Sequence, residues 1–200
     1  TDPERIAIAT VDMRDAGQVA ALADAAVERF GRLDVVVNNA GIAPAGRFVD
    51  QPQEEWDEVF AVNVRAPAVL ARAAGRHFIA QRSGKVINVA STSGINGKPT
   101  LVSYSASKGA VLQFTKALGA EWARFGIQVT AIAPGAFETD AQAAVLESPQ
   151  ILERRLRKIP AGRMGAVAEF GPLVCYLASP LSDFMTGTVV VIDGGEVTKL

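Results

Sequence analysis

Lys85-Val86-Ile87-Asn88-Val89-Ala90 is a short, mostly β-branched run that leads directly into the polar turn Ser91-Thr92-Ser93-Gly94. An amphipathic helical pattern follows over Ser103–Phe125, and Gly126 separates it from a second such run, Gln128–Ala133. Neither run alternates cleanly between apolar and polar residues, which is typical of strands covered on both faces. Together these segments predict a strand–helix–strand unit in which the two strands are parallel.

The same alternation of strand and helix extends outward in both directions along the chain. Further strands are predicted at Ile6–Val11, Asp34–Asn38 and Thr188–Ile192. Further helices are predicted at Asp15–Phe30, at Gln53–Gln81 with a break near Arg65 caused by Pro67, and at Ala166–Ala178, with a small helical insertion at Glu138–Met164. Because no repeat or linker interrupts the pattern, we predict a single α/β domain over residues 1–200.

Charge and cysteine content exclude several classes of partner. Twenty Lys and Arg residues balance 21 Asp and Glu residues, so the chain lacks the positive field that nucleic acids and anionic membranes attract. The single cysteine, Cys175, rules out an intrachain disulfide, and its apolar neighbours predict a small buried side chain. The only histidine, His77, leaves no metal site to expect. We therefore expect a cytoplasmic protein without nucleic-acid or membrane partners.

Polar or glycine-containing segments follow four of the predicted strands. They are Asp12, Asn38-Asn39-Ala40-Gly41, Ser91-Thr92-Ser93-Gly94 and Pro134-Gly135. Each is also a common turn sequence when taken alone. Ligands of open parallel sheets bind beyond the carboxyl ends of the strands, however, so the joint placement of these segments predicts a binding site at that edge.

Tyr104 and Lys108 are four residues apart near the start of the long predicted helix, and therefore lie on one face of it. A phenol has a reference pKa near ~10 and is a poor base at neutral pH, but a nearby ammonium favours its ionised form. By itself this spacing is explained as well by a packed tyrosine and a solvated lysine. Ser91, at the end of the preceding strand, favours acid–base chemistry on a shared substrate oxygen.

In order and spacing these residues resemble the short-chain dehydrogenase/reductase family. The matching motifs are Asn39-Ala40-Gly41, Asn63 in Ala61-Val62-Asn63-Val64, Ser91, Tyr104 with Lys108, Pro134-Gly135 with Thr139, and Thr186-Gly187 before Asp193-Gly194-Gly195. The resemblance implies a Rossmann-type, doubly wound, three-layer fold and hydride transfer between NAD or NADP and a small secondary alcohol or ketone. It also implies a homodimer or homotetramer, formed through the Ala- and Val-rich faces of the helices around Asn63 and Tyr104.

The resemblance further implies a role for each matching residue. Tyr104 corresponds to the general acid/base, Ser91 to the residue that polarises the substrate oxygen, and Lys108 to a ribose ligand that lowers the pKa of Tyr104. Asn63 corresponds to the position that holds a relay water, although a purely structural hydrogen bond is the alternative. The implied cofactor contacts are Tyr104, Lys108, Asp12, Met13, Asn39, Ala40, Gly41, Pro134, Gly135, Phe137 and Thr139. Gly41 also suits a turn with positive φ.

The chain departs from the family pattern at its N-terminal end. Family members begin with a strand, a G-x-x-x-G-x-G turn that holds the pyrophosphate, a helix, a second strand and another helix; no such motif precedes Ile6. We therefore expect about fifty further residues in the parent protein, and a segment Ile6–Val11 without a neighbouring strand. The choice between NAD and NADP depends on the second of those strands and stays open.

Two functional hypotheses remain. The first is an active oxidoreductase, with 3-oxoacyl thioesters or sugars and polyols as candidate substrates. The second is a catalytically silent binding or regulatory protein, which does not explain why Ser91, Tyr104, Lys108 and Asn63 occur together. An acyl-carrier-protein partner requires a basic rim, for which Arg154, Arg155, Arg157, Lys158 and Arg163 are candidates, although such a run is most often a solvated face.

Overall fold

The computed structural model describes residues 3–199 and is built around a parallel sheet. Its strands are β1 (Val35–Asn38), β2 (Gly84–Val89), β3 (Ile127–Pro134) and β4 (Thr188–Ile192), and they lie side by side in that order. The register pairs Val36 with Val86 and Ile87 with Thr130. Four of the five predicted strands are therefore confirmed.

Eight α-helices surround this sheet in the described part of the chain. They are α1 (Ala16–Phe30), α2 (Gln53–Phe60), α3 (Ala66–Gln81), α4 (Ser93–Asn96), α5 (Val102–Trp122), α6 (Ala143–Leu146), α7 (Pro149–Leu156) and α8 (Val167–Ala178). Helices α6 and α7 form the predicted small helical insertion. Within residues 3–199, no helix is both long enough and apolar enough to cross a membrane.

Helices cover both faces of the sheet. On one face, Phe78 from α3 and Trp122 from α5 belong to the same buried cluster as Val86. On the other face, Leu177 from α8 packs with Ile87. Because successive side chains of a strand point to opposite faces, the adjacent residues Val86 and Ile87 enter different layers of the core. This arrangement confirms the predicted doubly wound, three-layer α/β fold.

The predicted helix boundaries are confirmed by the residues that end the helices. Asp15 caps α1, since its side chain accepts hydrogen bonds from the backbone amides of Gly17 and Gln18. Gly31 ends α1 and Gly126 follows α5 and its terminal 3-10 turn, each in the left-handed conformation. After these glycines the chain leaves the helix and continues into β1 and β3, respectively.

The predicted break near Arg65 is a π-helical turn, Ala61–Arg65, between α2 and α3. Pro67 follows at the second position of α3, directly after the π turn. The π turn also contains Asn63, and π turns often occur at functional sites.

The strand prediction for Ile6–Val11 is wrong in this structure. The segment follows a short 3-10 turn, has no strand conformation and is exposed, with Ile8 at 92%. A strand needs a hydrogen-bonded neighbour, and β1 pairs only with β2 among the described strands. The expectation that this segment has no strand beside it is thus confirmed.

The prediction that Cys175 is buried is also wrong, because its thiol is exposed. Leu173 and Leu177 pack toward the sheet from α8 and are one helical turn apart. Cys175 lies midway between them in sequence, so the helical period of 3.6 residues places it on the opposite face.

Candidate active site

Ser91, Tyr104 and Lys108 line one cavity of about 450 Å³. Ser91 comes two residues after the end of β2, whereas Tyr104 and Lys108 lie one turn apart in the first turns of α5. The other predicted residues that line this cavity are Asn39, Gly41, Pro134 and Gly135. The structure therefore brings together residues from the carboxyl ends of three adjacent strands, as predicted for an open parallel sheet.

Close contact between α4 and α5 positions the serine. A Cβ atom added at Gly94 would lie 2.6 Å from the carbonyl carbon of Lys108 and 2.7 Å from the amide nitrogen of Gly109. The two helices can approach this closely because Gly94 has no side chain. Within the same loop, the backbone amide of Ser93 donates a 3.0 Å hydrogen bond to Oγ of Ser91, which orients the hydroxyl.

The phenol of Tyr104 is partly buried and lies near the hydroxyl of Ser91. Burial raises the pKa of Tyr104 above its ordinary value, and the Ser91 hydroxyl lowers it in part. The prediction that Lys108 lowers this pKa is therefore wrong for this structure. Nζ of Lys108 lies over the face of the Tyr104 ring, 5.7 Å from the centroid, and donates its hydrogen bond elsewhere.

That hydrogen bond runs from Nζ of Lys108 to the carbonyl oxygen of Val89, over 2.7 Å. Lys108 is only 4% exposed. Burial lowers the pKa of the Lys108 ammonium to about 8, because the charged form loses its hydration. Near neutral pH the side chain thus remains mainly charged, but it can release a proton far more easily than an exposed lysine.

Asn63 connects the π turn to the loop after β1. Its Oδ1 accepts a hydrogen bond from the amide of Ile42, and its Nδ2 donates to the carbonyl of Ile42 and to Oγ of Ser107, all within 3.0 Å. The side chain is buried at 1% exposure. These bonds give Asn63 a structural role, while its part in a proton relay stays a prediction.

Gly41 lies against the side chains of Asn63 and Lys108. A glycine is needed at this position for a reason other than the one predicted. Its φ is not among the positive values of the described glycines, so the expected positive-φ turn is wrong. An added Cβ would instead lie 3.2 Å from Oδ1 of Asn63 and 3.4 Å from Nζ of Lys108. Glycine is favoured here by the close approach of two functional side chains.

A second cavity of about 410 Å³ contains the remaining residues expected beside the nicotinamide. It is lined by Asn39, Val89, Pro134, Gly135, Phe137, Thr139, Gln142, Val167 and Phe170. Asn39, Pro134 and Gly135 also line the first cavity, so the two spaces adjoin. A mainly apolar pocket with a few polar groups, next to the buried ammonium of Lys108, fits the nicotinamide and ribose end of a dinucleotide.

Three of the predicted cofactor residues, Asp12, Met13 and Ala40, line neither cavity in the described part of the chain. Asp12 is exposed and accepts a 2.8 Å hydrogen bond from the guanidinium of Arg14. That bond holds the pKa of the Asp12 carboxyl down at about 2. Contact of Asp12 and Met13 with the adenine of a cofactor, and of Ala40 with a ribose, stays a prediction.

Several residues of the first cavity were not singled out individually as site residues from the sequence. They are Ser93, Lys98, Leu101, Gln142 and Arg155. Arg155 was singled out only as part of a basic run, and Lys98 belongs to the loop between α4 and α5. Neither Lys98 nor Arg155 belongs to a sequence motif, because their common position in the cavity wall depends on how α7 packs over the edge of the sheet.

The fold and the site together define an α/β protein in which Ser91, Tyr104 and Lys108 line a cavity that adjoins a second, mainly apolar pocket. Comparison with known proteins agrees. Residues 2–196 match the model of the family described as enoyl-(acyl carrier protein) reductase. The chain is 38% identical over 192 residues to 2-dehydro-3-deoxy-D-gluconate 5-dehydrogenase of Escherichia coli. The aligned region covers 95% of this chain and 76% of that protein.

Two further similarities extend this result. The chain is 36% identical over 195 residues to a 3-oxoacyl-(acyl-carrier-protein) reductase of Thermotoga maritima, covering 98% of this chain and 78% of that one. It superimposes with a TM-score of 0.91 and 36% identity on a gluconate 5-dehydrogenase of Burkholderia cenocepacia, which was crystallised with NADP and tartrate. This superposition covers 95% of this chain and 74% of the Burkholderia chain. The chain belongs to the short-chain dehydrogenase/reductase family and is an NAD(P)-dependent oxidoreductase.

Proposed function

We propose that Ser91, Tyr104 and Lys108 carry out proton transfer during oxidation of a secondary alcohol or reduction of the matching ketone. The observation that carries this proposal is that Ser91, Tyr104 and Lys108 line one cavity, with Ser91 near enough to the phenol to lower its pKa. A bound nicotinamide supplies the hydride acceptor or donor. The chain itself supplies the proton acceptor and orients the substrate oxygen.

Each side chain has a separate task in this scheme. Tyr104 accepts the hydroxyl proton in oxidation and returns it in reduction, and Ser91 donates a hydrogen bond to the same substrate oxygen. Lys108 holds a positive charge beside the phenol ring and offers its two remaining N–H donors to a ribose. Asn63 keeps the Gly41–Ile42 turn against Lys108 and is proposed to bind a relay water through the lone pair that its Oδ1 retains.

The proposed cofactor is NADP, and the proposed contacts at its nicotinamide end are Asn39, Gly41, Pro134, Gly135, Phe137 and Thr139. Support comes from the two adjoining cavities and from the Burkholderia relative, which was crystallised with NADP. For the adenine end we propose Asp12 and Met13, and we place Ala40 beside a ribose of the cofactor. The glycine-rich phosphate turn is not found in residues 1–200, so no pyrophosphate contact is assigned.

Among the candidate substrates, the cavity favours sugars and polyols over 3-oxoacyl thioesters. Ser93, Lys98, Gln142 and Arg155 add polar and charged groups to its wall. Such groups hydrogen-bond to hydroxyls but lose hydration against an acyl chain. Two of the relatives are dehydrogenases of gluconate or of a gluconate derivative, which is consistent with this choice.

The decisive test replaces Tyr104 with phenylalanine and compares it with Tyr176→Phe, the only other tyrosine in the chain. Tyr176 is on α8, and its hydroxyl makes one long contact with the carbonyl of Leu181. NADPH formation from D-gluconate is followed by absorbance. Loss of the acid/base should lower kcat roughly 10²- to 10⁴-fold in Tyr104→Phe only. Equal rates for both variants would exclude the assigned mechanism.

The domain organisation, cellular location and oligomeric state of the enzyme are also proposed. We infer one catalytic domain over residues 1–200, acting in the cytoplasm, where the exposed thiol of Cys175 stays reduced. A homodimer or homotetramer is supported by apolar side chains left exposed on the surface, among them Leu181 and Phe184. Light scattering of the purified protein tests this assembly, and a stable monomer would contradict it.

A further inference from the structure

Lys98, Arg155 and Glu196 form a partly buried charged cluster that the reaction scheme above does not use. Nη1 and Nη2 of Arg155 donate to the two carboxylate oxygens of Glu196 over 2.6 and 2.8 Å. Nζ of Lys98 is 3.6 Å from the same carboxylate. The side chains of Arg155 and Glu196 are 17% and 12% exposed, so this ion pair is far more buried than the other arginine pairs of the chain.

The cluster lies at the boundary between the active-site cavity and a larger neighbouring space of about 570 Å³. Lys98 and Arg155 line both cavities, whereas Glu196 lines only the larger one. Three distant segments meet here: the loop before α5, helix α7 and the C-terminal 3-10 turn Glu196–Thr198. A substrate whose reacting carbon lies at Tyr104 can therefore extend its other end toward this pair of cations.

The charges of the cluster do not balance. Two cations face a single carboxylate, and the remaining charged residues that line the larger cavity are Arg157, Lys158 and Lys199. Glu153, the acidic side chain nearest in sequence to this group, is exposed and paired with Arg157. Burial and the neighbouring Arg155 lower the pKa of Lys98, and Glu196 opposes this shift only in part. An anion bound beside Lys98 and Arg155 would supply the missing compensation.

The remaining donors suit a carboxylate. Glu196 uses one N–H of each terminal nitrogen of Arg155, which leaves the second N–H on each and the one on Nε free to bind. Lys98 adds its ammonium beside them. Glu196 keeps both cations in place, so little side-chain entropy is lost when an anion arrives.

We propose that Lys98 and Arg155 form the carboxylate-binding subsite of the active site, and that the substrate is a polyhydroxy acid rather than a neutral polyol. Glu196 is the positioning residue of this subsite. The inference rests on the proposed function and adds to it the substrate class and the residues that select it.

The test compares two substrates that differ in charge at one end: D-gluconate, with a carboxylate, and D-sorbitol, with a hydroxymethyl group. The purified protein and its variants Lys98→Met and Arg155→Met are assayed with NADP for kcat and KM on both. Arg154→Met is the matched control, because Arg154 is the preceding residue on α7, is exposed and lines neither cavity.

Wild-type protein and Arg154→Met should prefer gluconate. Loss of a charge-assisted hydrogen bond should reduce that preference, measured as the ratio of kcat/KM values, roughly 10- to 100-fold in Lys98→Met and Arg155→Met. The change should come mainly from KM for gluconate, and Lys98→Arg should restore much of the preference. Lys98→Met keeps the Arg155–Glu196 pair, so it remains informative if Arg155→Met does not fold.

A binding measurement separates this inference from the proposed function. Titration calorimetry of gluconate and of sorbitol into the protein needs no turnover. Tighter binding of gluconate by wild type than by Lys98→Met supports the subsite even if the assay forms no NADPH. The absence of NADPH formation would then count against the proposed function alone. An unchanged gluconate preference in both Lys98→Met and Arg155→Met, in an active enzyme, would overturn the subsite and leave the proposed function intact.

Discussion

The Nζ atom of Lys108 and the carbonyl oxygen of Val89 are 2.7 Å apart, and this hydrogen bond joins helix α5 to the carboxyl end of strand β2. The same contact keeps the ammonium over the ring of Tyr104. A buried lysine held in this way is unfavourable for stability, because its charged form has lost most of its hydration. Stability alone would favour an apolar residue at this position, which supports the role proposed for Lys108.

A first prediction concerns pH and stability. In the unfolded chain Lys108 has a pKa near 10.5, whereas burial lowers it to about 8 in the folded protein. Below pH 8 both states are protonated and the full cost of burial is present. Above pH 8 the folded protein releases a proton that the unfolded chain keeps, so the free energy of unfolding rises with pH.

Lys108→Met should abolish this rise. Between pH 7 and pH 9.5, the free energy of unfolding of wild type minus that of Lys108→Met should increase by about 2 kcal/mol. Urea denaturation at several pH values gives the difference directly and cancels the titration of other groups. Parallel curves for the two proteins would mean that Lys108 titrates as an ordinary exposed lysine.

A second prediction concerns Ser91. Its hydroxyl lowers the pKa of Tyr104 in the folded protein, so Ser91→Ala should raise that pKa further. Alcohol oxidation requires the ionised phenol, and the acid limb of the plot of log kcat against pH should therefore move to higher pH. An acid limb at the wild-type position would show that Ser91 does not act on Tyr104, even if kcat falls.

A third prediction tests the packing of α4 on α5. Gly94→Ala places a methyl group 2.6 Å from the backbone of Lys108, which should displace the first turns of α5. We expect a loss of about 1–3 kcal/mol in the free energy of unfolding, together with a lower kcat. The control is Gly171→Ala, which meets nothing within 4 Å and lies inside α8; it should be neutral or stabilising by about 1 kcal/mol. Similar unfolding curves for both variants would contradict the proposed close packing.

A fourth prediction concerns Asn63. Asn63→Ala leaves the amide and carbonyl of Ile42 without their partner, and should destabilise the protein by about 1–3 kcal/mol. Asn63→Asp should be worse, because a carboxylate would face the carbonyl of Ile42 in a buried position. Asn96→Ala, at an exposed site with one long contact to Val197, is the control. If Asn63→Asp were as stable as wild type, the hydrogen-bond assignment would be wrong.

Much of the fold could be predicted because its determinants are local. The run at residues 85–90 and the helix after it are short-range patterns, and Gly31 and Gly126 end their helices through their own backbone conformation. The error at Ile6–Val11 has a non-local cause. Strand propensity is present there, but a strand forms only beside another strand, and none is described next to this segment.

Charge effects in the site were harder to predict. Spacing correctly places Tyr104 and Lys108 on one face of α5, yet it does not give the depth of burial or the direction of each hydrogen bond. Lys108 donates its hydrogen bond to Val89, and burial raises the pKa of the Tyr104 phenol more than Ser91 lowers it, where the sequence predicted a decrease. A pKa depends on desolvation, which no pattern of neighbours along the chain measures.

The sequence by itself determined the α/β class, the order of the four strands of the sheet and of the helices between them, and the placement of Ser91, Tyr104 and Lys108 at one edge of the sheet, because periodicity and turn chemistry act over a few residues. Tertiary structure alone decided that Lys98, Arg155 and Glu196 meet at the edge of the active site. These residues lie on separate segments and have no spacing rule. Their contact arises only when α7 and the C-terminal turn pack over the carboxyl end of the sheet, where Coulomb attraction acts through space.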